Sequence, residues 1–343
     1  MTYASSARPK AAWKWSWSSV LAPRTPREMP EESDAGSQKS ETGLRASPGS
    51  PTVTPGSTST PTRHPESTPG SPPGSHPPAW QATAIDIVLR AGEIQLRHLG
   101  GDLQIDMKGP IDLVTKVDLE VERMCRNTIA ERFPGHAVLA EEFANEADEA
   151  TARHRWVFDP IDGTVNYAHG LPLFCSCLAL EVDGRPEVAA VFDPTRRELF
   201  TAERGVGAWL NGAPIRVSGA TSLLNAMLCT GFAYDVHETV DDVVGLFGAF
   251  VARARAVRRL GSAALDLCYV AAGRFDGFWE RGLQPWDVSA ATLVIEEAGG
   301  RVSRLDGTAF DTRCGEIVAS NGHLQAEMID VISSHGRAPN RTT

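Results

Sequence analysis

In the stretch Asp159-Pro-Ile-Asp-Gly-Thr164, two carboxylates, a proline, a glycine and a hydroxyl follow directly on the apolar run Trp156 to Phe158. Pro160 fixes its own backbone and Gly163 permits a tight turn, so the segment reads as a strand end turning into a helix near Thr164. That arrangement aims Asp159 and Asp162 at one point and exposes the Ile161 carbonyl between them. It also leaves the N–H groups of Gly163 and Thr164 facing an anion at the helix start. Oxygen ligands beside a phosphate-sized anion site suit magnesium better than zinc. The competing reading is an Asx turn in which Asp162 only caps the helix.

Three further acids bear on the choice. Glu141 follows the apolar run Ala137 to Ala140, Asp287 stands after Pro285 and Trp286 at the start of an apolar helix pattern, and Asp118 completes Thr115-x-x-Asp118. Each has an ordinary explanation: Asp287 is a good N-cap, Glu141 a solvated loop charge, Asp118 half of a capping box. Strand-end or helix-start acids in separate segments, each beside a buried apolar run, point instead to one shared cation site.

The elements that must position these groups are legible in the periodicity. Ile85, Leu89, Gly92, Leu96 and Leu99 recur at heptad-like spacing from Trp80 until Gly100-Gly101, which predicts a first helix. A second is predicted from Lys116 to Phe133, with Thr115 as N-cap and Val117, Val121, Met124, Cys125, Thr128 and Ile129 on one face. Strands follow at Ala137 to Ala140 and Trp156 to Phe158, then two hairpins turning at Asp183-Gly184 and Asn211-Gly212. After Ser222 strands and helices alternate, ending in a helix from His323 to Ser333. The basic run Arg253 to Arg259 reads as a solvated helix face. The expected fold is an α+β / α/β layered sandwich of alternating helix and sheet layers, with an antiparallel-rich half over about 80–220 and an α/β half over about 221–335. A cleft between the halves is the expected ligand site.

Composition sets the outer bounds. The first 80 residues hold 14 of the 23 prolines and 15 serines, too little apolar surface to offset the entropy of ordering, so 1–79 is expected to be a disordered extension and 336–343 a disordered tail. Its first 27 residues carry Arg8, Lys10, Lys14, Arg24 and Arg27 and no acid. An unstructured tail, or a start placed too far upstream, is favoured over an organelle transit peptide. Of 33 Lys and Arg and 43 Asp and Glu, the first 80 residues hold 8 and 6, leaving 25 basic against 37 acidic side chains in the remainder. That balance argues against nucleic acid and for a site that concentrates cations. No run of 18 apolar residues occurs, so no membrane-spanning helix is expected. The six cysteines lack CxxC spacing and read as buried free thiols in a reducing, cytoplasmic compartment.

Together the motifs "DLVTKVD" (112–118), "LAEE" (139–142), "WVFDPIDGTVNYAHGLP" (156–172), "GSAALDLCYVAAGRFDGFWE" (261–280) and "WDVSAATLVIEEAGG" (286–300) resemble the inositol monophosphatase family, magnesium-dependent and lithium-sensitive sugar phosphatases. The likeness spans roughly Ala82 to Ser334 and departs nearby only in Ala140, where many members have glycine. It implies a homodimeric phosphatase with two or three magnesium ions per subunit. Glu141, Asp159 and the Ile161 carbonyl would hold the first ion, Asp159, Asp162 and Asp287 the second, and Glu141 would approach a third. Asp118 and Thr164 would orient and help deprotonate the attacking water. Lys108 and the amides of Gly163 and Thr164 would meet the phosphate, and Glu280 and Ala263 the substrate's hydroxyl side. The implied substrate is inositol 1-phosphate or a related small phosphorylated polyol or sugar, fructose 1,6-bisphosphate and histidinol phosphate included. The alternative of another class is a non-catalytic metal-binding scaffold that works through a partner.

Overall fold

The computed structural model describes residues 77–101, 103–108, 113–143 and 152–336. Nearly all of both expected tails, 1–76 and 337–343, therefore lies outside the described residues. Helix α1 (Pro78–His98) begins with a proline in its first turn, where the missing N–H costs nothing. A short hairpin, β1 (Ile105–Met107) and β2 (Leu113–Thr115), leads into α2 (Lys116–Arg132). Thr115 caps α2 with a complete capping box: its side chain accepts from the Val117 N–H, while Asp118 accepts from the Thr115 N–H.

A seven-stranded sheet follows in the order β3 (Ala137–Ala140), β4 (His154–Asp162), β5 (Cys175–Val182), β6 (Arg185–Asp193), β7 (Glu198–Glu203), β8 (Gly207–Leu210) and β9 (Ala213–Pro214). Only the β3/β4 pair is parallel. The short helix α3 (Thr164–Ala168) leaves the end of β4. The second sheet contains β10 (Met227–Thr230), β11 (Ala256–Arg258), β12 (Gly277–Arg281), β13 (Arg301–Ser303) and β14 (Glu316–Ser320), ordered β11-β10-β12-β14-β13. Helices α4 (Val240–Val251), α5 (Ala263–Ala271), α6 (Pro285–Glu297) and α7 (Gln325–Gly336) complete the chain.

Alternation along the strands builds the layers. Cys175, Cys177 and Ala179 on β5 pack with Val191 of β6 against α5 and α6, whose other side meets Cys229, Phe278, Ile317 and Ala319 of the second sheet. Leu178 and Leu180 point the other way, toward α1 and α2. On the far face of the second sheet, Leu228, Trp279 and Val318 pack against Leu246 and Phe250 of α4 and Met328 of α7. The result is helix, sheet, helix, sheet, helix. Helix α5 is buried along its whole length, as a middle layer requires. Among the described residues no helix is long and apolar enough to cross a membrane.

Four local readings change. The buried stripe of α1 is Ala84, Ile87, Val88, Ala91, Gly92, Ile94 and Gln95, while Leu96 is exposed. The rotation follows from Gly92, whose missing Cβ would lie 2.5 Å from the Phe192 ring, so the helix approaches β6 by its smallest residue. The basic run 253–259 is not a helix: α4 ends at Val251, and Ala256–Arg258 is the edge strand β11. Charged residues on an edge strand cost little and discourage further strand addition. Strands β1, β2 and β7 complete pairings that short or irregular apolar patterns do not announce. Finally, β4 does not stop at Phe158 but continues to Asp162 through an irregularity between Asp159 and Asp162.

Candidate active site

That irregularity is the local key. Asp159 pairs with Cys177 and Asp162 with Cys175, so β4 inserts two residues where β5 has one, a β-bulge. In a regular strand, residues three apart face opposite sides. The extra residue cancels this, because Cys175 and Cys177 lie on the same face. Both aspartates therefore turn toward α5 and α6. Pro160, which has no N–H to give a ladder, sits inside the bulge, and its carbonyl accepts from Gln95 Nε2 at 2.8 Å and Ser176 Oγ at 2.6 Å. Helix α1 thereby holds the bulge from behind.

Parallel pairing of β3 with β4 puts Glu141, just past β3, at the same end as Asp159. Asp287, in the first turn of α6, accepts from the Gln284 N–H at 2.7 Å. A cavity of about 280 Å³ is lined by Lys108, Glu141, Asp159, Ile161, Asp162, Gly163, Thr164, Tyr234, Gly282, Gln284, Trp286 and Asp287. Of the residues the sequence singles out, eight line it. Asp118, Ala263 and Glu280 are not on the lining, although Ala263 donates its N–H to Asp162 Oδ1 at 3.2 Å. Tyr234, Gly282 and Gln284 line the cavity without a signal in the sequence. They stand on loops that follow β10 and β12, and only pairing of those strands brings them there.

Asp162 is firmly gripped. Its Oδ2 accepts from Ser262 Oγ at 2.5 Å and from the Ala264 N–H at 2.8 Å, with the Cys175 thiol at 3.7 Å. Asp159 spends one oxygen on the Ile161 N–H. Burial, then repulsion from Glu141, Asp162 and Asp287, pushes its carboxyl well above the usual range. Burial and then Asp162 do the same to Asp287. Lys108 is the only basic residue on the cavity wall among the described residues. Its ammonium bonds Glu141 at 3.0 Å and Glu142 at 2.7 Å. Burial and then Glu141 still raise Glu142 to about 8.

Asp118 and Thr164 do not bond to each other in this structure. Thr164 Oγ1 donates to the Ile161 carbonyl at 2.8 Å, and Asp118 Oδ2 accepts from the Thr115 hydroxyl at 2.6 Å. The other oxygen of Asp118 is buried and has no hydrogen-bond partner among the described residues, and burial lifts this carboxyl to about 6. A buried acceptor left open beside four crowded carboxylates is poorly satisfied by the chain alone. Among the described residues no three acidic, histidine or cysteine side chains already enclose one point as a metal cage does. Glu141 is engaged with Lys108 and Asp162 with α5. The donor set is all oxygen and strongly negative, which fits hard divalent cations that keep part of their water shell.

The model of the inositol monophosphatase family matches residues 78–337. The chain is 41% identical over 256 residues to inositol-1-monophosphatase of Synechocystis sp., covering 74% of this chain and 89% of that protein. It is 40% identical over 261 residues to Nus factor SuhB of Pseudomonas aeruginosa, covering 73% and 96%. The solved structure of inositol monophosphatase from Anabaena (Nostoc) sp. superposes with a TM-score of 0.68 at 37% identity, covering 75% of this chain and 96% of that one. The chain belongs to the inositol monophosphatase family.

Proposed function

With that membership as premise, we propose that the protein is a magnesium-dependent phosphate monoesterase that hydrolyses a small phosphorylated polyol, inositol 1-phosphate first among its candidates. The carrying observation is the bulge in β4, which turns Asp159 and Asp162 to one face together with Asp287 and Glu141. Glu141, Asp159 and the Ile161 carbonyl would hold one cation, and Asp159, Asp162 and Asp287 a second, with Glu141 also near a third. When bound, such ions supply Lewis-acid activation of water and neutralise charge on the phosphate and leaving group.

The chain's own groups do the rest. Gly163, at φ 94°, opens α3 so that its amide and that of Thr164 face the phosphate oxygens. Lys108 adds a positive charge on the cavity wall. Asp118, lifted to about 6, has an open oxygen that can take a proton from water near neutral pH, and the Thr164 hydroxyl orients that water. Glu280, on β12 beyond the cavity wall, accepts hydrogen bonds from substrate hydroxyls, and Ala263 closes the same side. Homodimer formation and a cytoplasmic location belong to this reading. Fructose 1,6-bisphosphate and histidinol phosphate remain alternative substrates.

Phosphate release from a panel of these esters, with and without magnesium, tests the proposal. Magnesium-dependent turnover that favours inositol phosphate supports it, and Asp118→Asn should then abolish turnover with little change in melting. The relative named Nus factor SuhB favours a second reading, a factor that acts through a partner. No turnover on any ester, with a biological role that survives Asp118→Asn, would establish that reading instead.

A further inference from the structure

Helix α1 carries a polar side chain where its buried stripe calls for an apolar one. Gln95 is fully buried, and its Oε1 has no hydrogen-bond partner among the described residues. A leucine there would avoid the cost of burying that oxygen. The other end of the amide is engaged instead: Nε2 donates to the Pro160 carbonyl at 2.8 Å and to Ser176 Oγ at 2.8 Å. Ser176, also fully buried on β5, donates to the same carbonyl at 2.6 Å. These neighbours dictate how the amide is turned. A carbonyl only accepts, and Ser176 spends its one proton on Pro160, so both call for an N–H from Gln95. Pro160 lies between the paired positions Asp159 and Asp162, outside the register with β5, and its oxygen is satisfied by side chains in place of a ladder partner.

That oxygen belongs to the peptide group joining Pro160 to Ile161. A trans peptide is planar, with its C=O and N–H pointing in opposite directions, and no cis peptide bond occurs among the described residues. Holding the oxygen from behind therefore fixes the Ile161 N–H in front. That N–H donates to Asp159 Oδ1 at 2.9 Å. An unbroken series of contacts thus leads from α1 and β5, through one peptide plane, to a carboxylate of the cavity wall. Gln95 is itself held in place, because the Tyr167 hydroxyl of α3 donates to its main-chain carbonyl at 2.8 Å.

We propose that Gln95 and Ser176 are positioning residues for the cation site: by clamping the Pro160 carbonyl they set the plane of the Pro160–Ile161 peptide, whose N–H holds the Asp159 carboxylate in the orientation a divalent cation needs. The inference rests on the magnesium-dependent reading above, and what it concerns is cation affinity. Groups that orient a metal ligand from behind commonly govern affinity in this way.

The test uses the full chain, freed of metal with EDTA and dialysed, with melting followed as magnesium chloride is added, a readout independent of turnover. Gln95→Met, which keeps the length and removes the N–H donor, should raise the magnesium dissociation constant about 10-fold. Ser176→Ala leaves Gln95 in place and should raise it about 3-fold. Should Gln95→Met not fold, this smaller change decides the matter. Tyr167→Phe is the comparison: it removes a buried hydrogen bond to the same glutamine that does not reach Pro160, so it should lower metal-free melting and keep the magnesium dissociation constant within about 2-fold of wild type. Unchanged affinity in a folded Gln95→Met or Ser176→Ala protein, or an equal loss in Tyr167→Phe, would overturn the inference and leave the phosphatase reading intact. A wild-type protein whose melting does not respond to magnesium would overturn both.

Discussion

Acids at the two ends of the paired strands β4 and β5 meet opposite fates. Glu181 on β5 is fully buried, yet Arg155 pairs with it from β4, Ser289 of α6 donates to it at 2.8 Å and Thr312 at 3.2 Å. At the other end of β4, Asp159 and Asp162 share a cavity with Glu141 and Asp287, and Lys108 is the single basic residue on its wall among the described residues. The first set brings its own counter-charge and donors, and it ties β4, β5 and α6 together. The second set has little opposite charge, so burial and then neighbouring carboxylates raise Asp159 and Asp287, and burial raises Asp162 against its hydrogen bonds. Glu181 meets an opposite charge within the chain, whereas the cavity acids, Asp162 with its several donors included, face Lys108 as the one basic residue of the cavity wall among the described residues.

The sharpest way to break this contrast is to remove charge at the under-compensated end. Asp159→Asn should lower turnover about 10⁴-fold while raising the melting temperature in metal-free buffer, because it relieves repulsion. A fall in metal-free stability would show that Asp159 is a structural acid like Glu181. At the compensated end the sign reverses. Glu181→Ala removes the carboxylate paired with the Arg155 guanidinium, 3% exposed at its side chain, and should cost about 4 kcal/mol in urea unfolding. A loss below 1 kcal/mol would mean that the ion pair offers no advantage over water-filled space.

Magnesium should act on the crowded end alone. At a concentration about 100-fold above its dissociation constant it should add about 2.7 kcal/mol to unfolding, and EDTA should remove this. Asp159→Asn should lose most of the increment, while a milder core change, Ser289→Ala, should retain it. The smallest effect concerns pH. Burial raises Glu280 to about 8 from an ordinary 4.5, so the folded protein binds a proton that the unfolded chain releases. Stability from this group is therefore complete below pH 4.5 and is lost as pH rises toward 8. In metal-free buffer Glu280→Gln should be more stable than wild type at pH 8.5 by about 2 kcal/mol, less than the full shift implies because the pocket can admit water. The two proteins should converge near pH 4.5. Parallel stability curves across that range would refute the assignment.

Much of the frame is legible in residue types. Thr115 and Asp118 spell out the cap of α2, Asp183-Gly184 and Asn211-Gly212 mark the hairpin turns, and the apolar run Ala137 to Ala140 matches β3 residue for residue. These are local features, and local chemistry suffices for them. The face of α1 was legible in part: Ile85, Leu89, Gly92 and Leu99 do meet the core, but the close approach at Gly92 centres the stripe on smaller neighbours and leaves Leu96 exposed. Strand β11 was not, since its short basic sequence becomes a strand only because β10 lies beside it.

The same division runs through the site. The sequence alone determined which acids stand at strand ends and helix starts, because a strand end, a proline and a glycine announce themselves over a few residues. Only the tertiary structure decided that Asp159 and Asp162 share a face, that Ser262 and the start of α5 grip Asp162 across a separation of a hundred residues, and that Gln95 reaches the bulge from α1. Those outcomes depend on one inserted residue relative to a neighbouring strand and on which helix fills the layer between two sheets. Such relations belong to pairing and packing, and no window of sequence contains both partners.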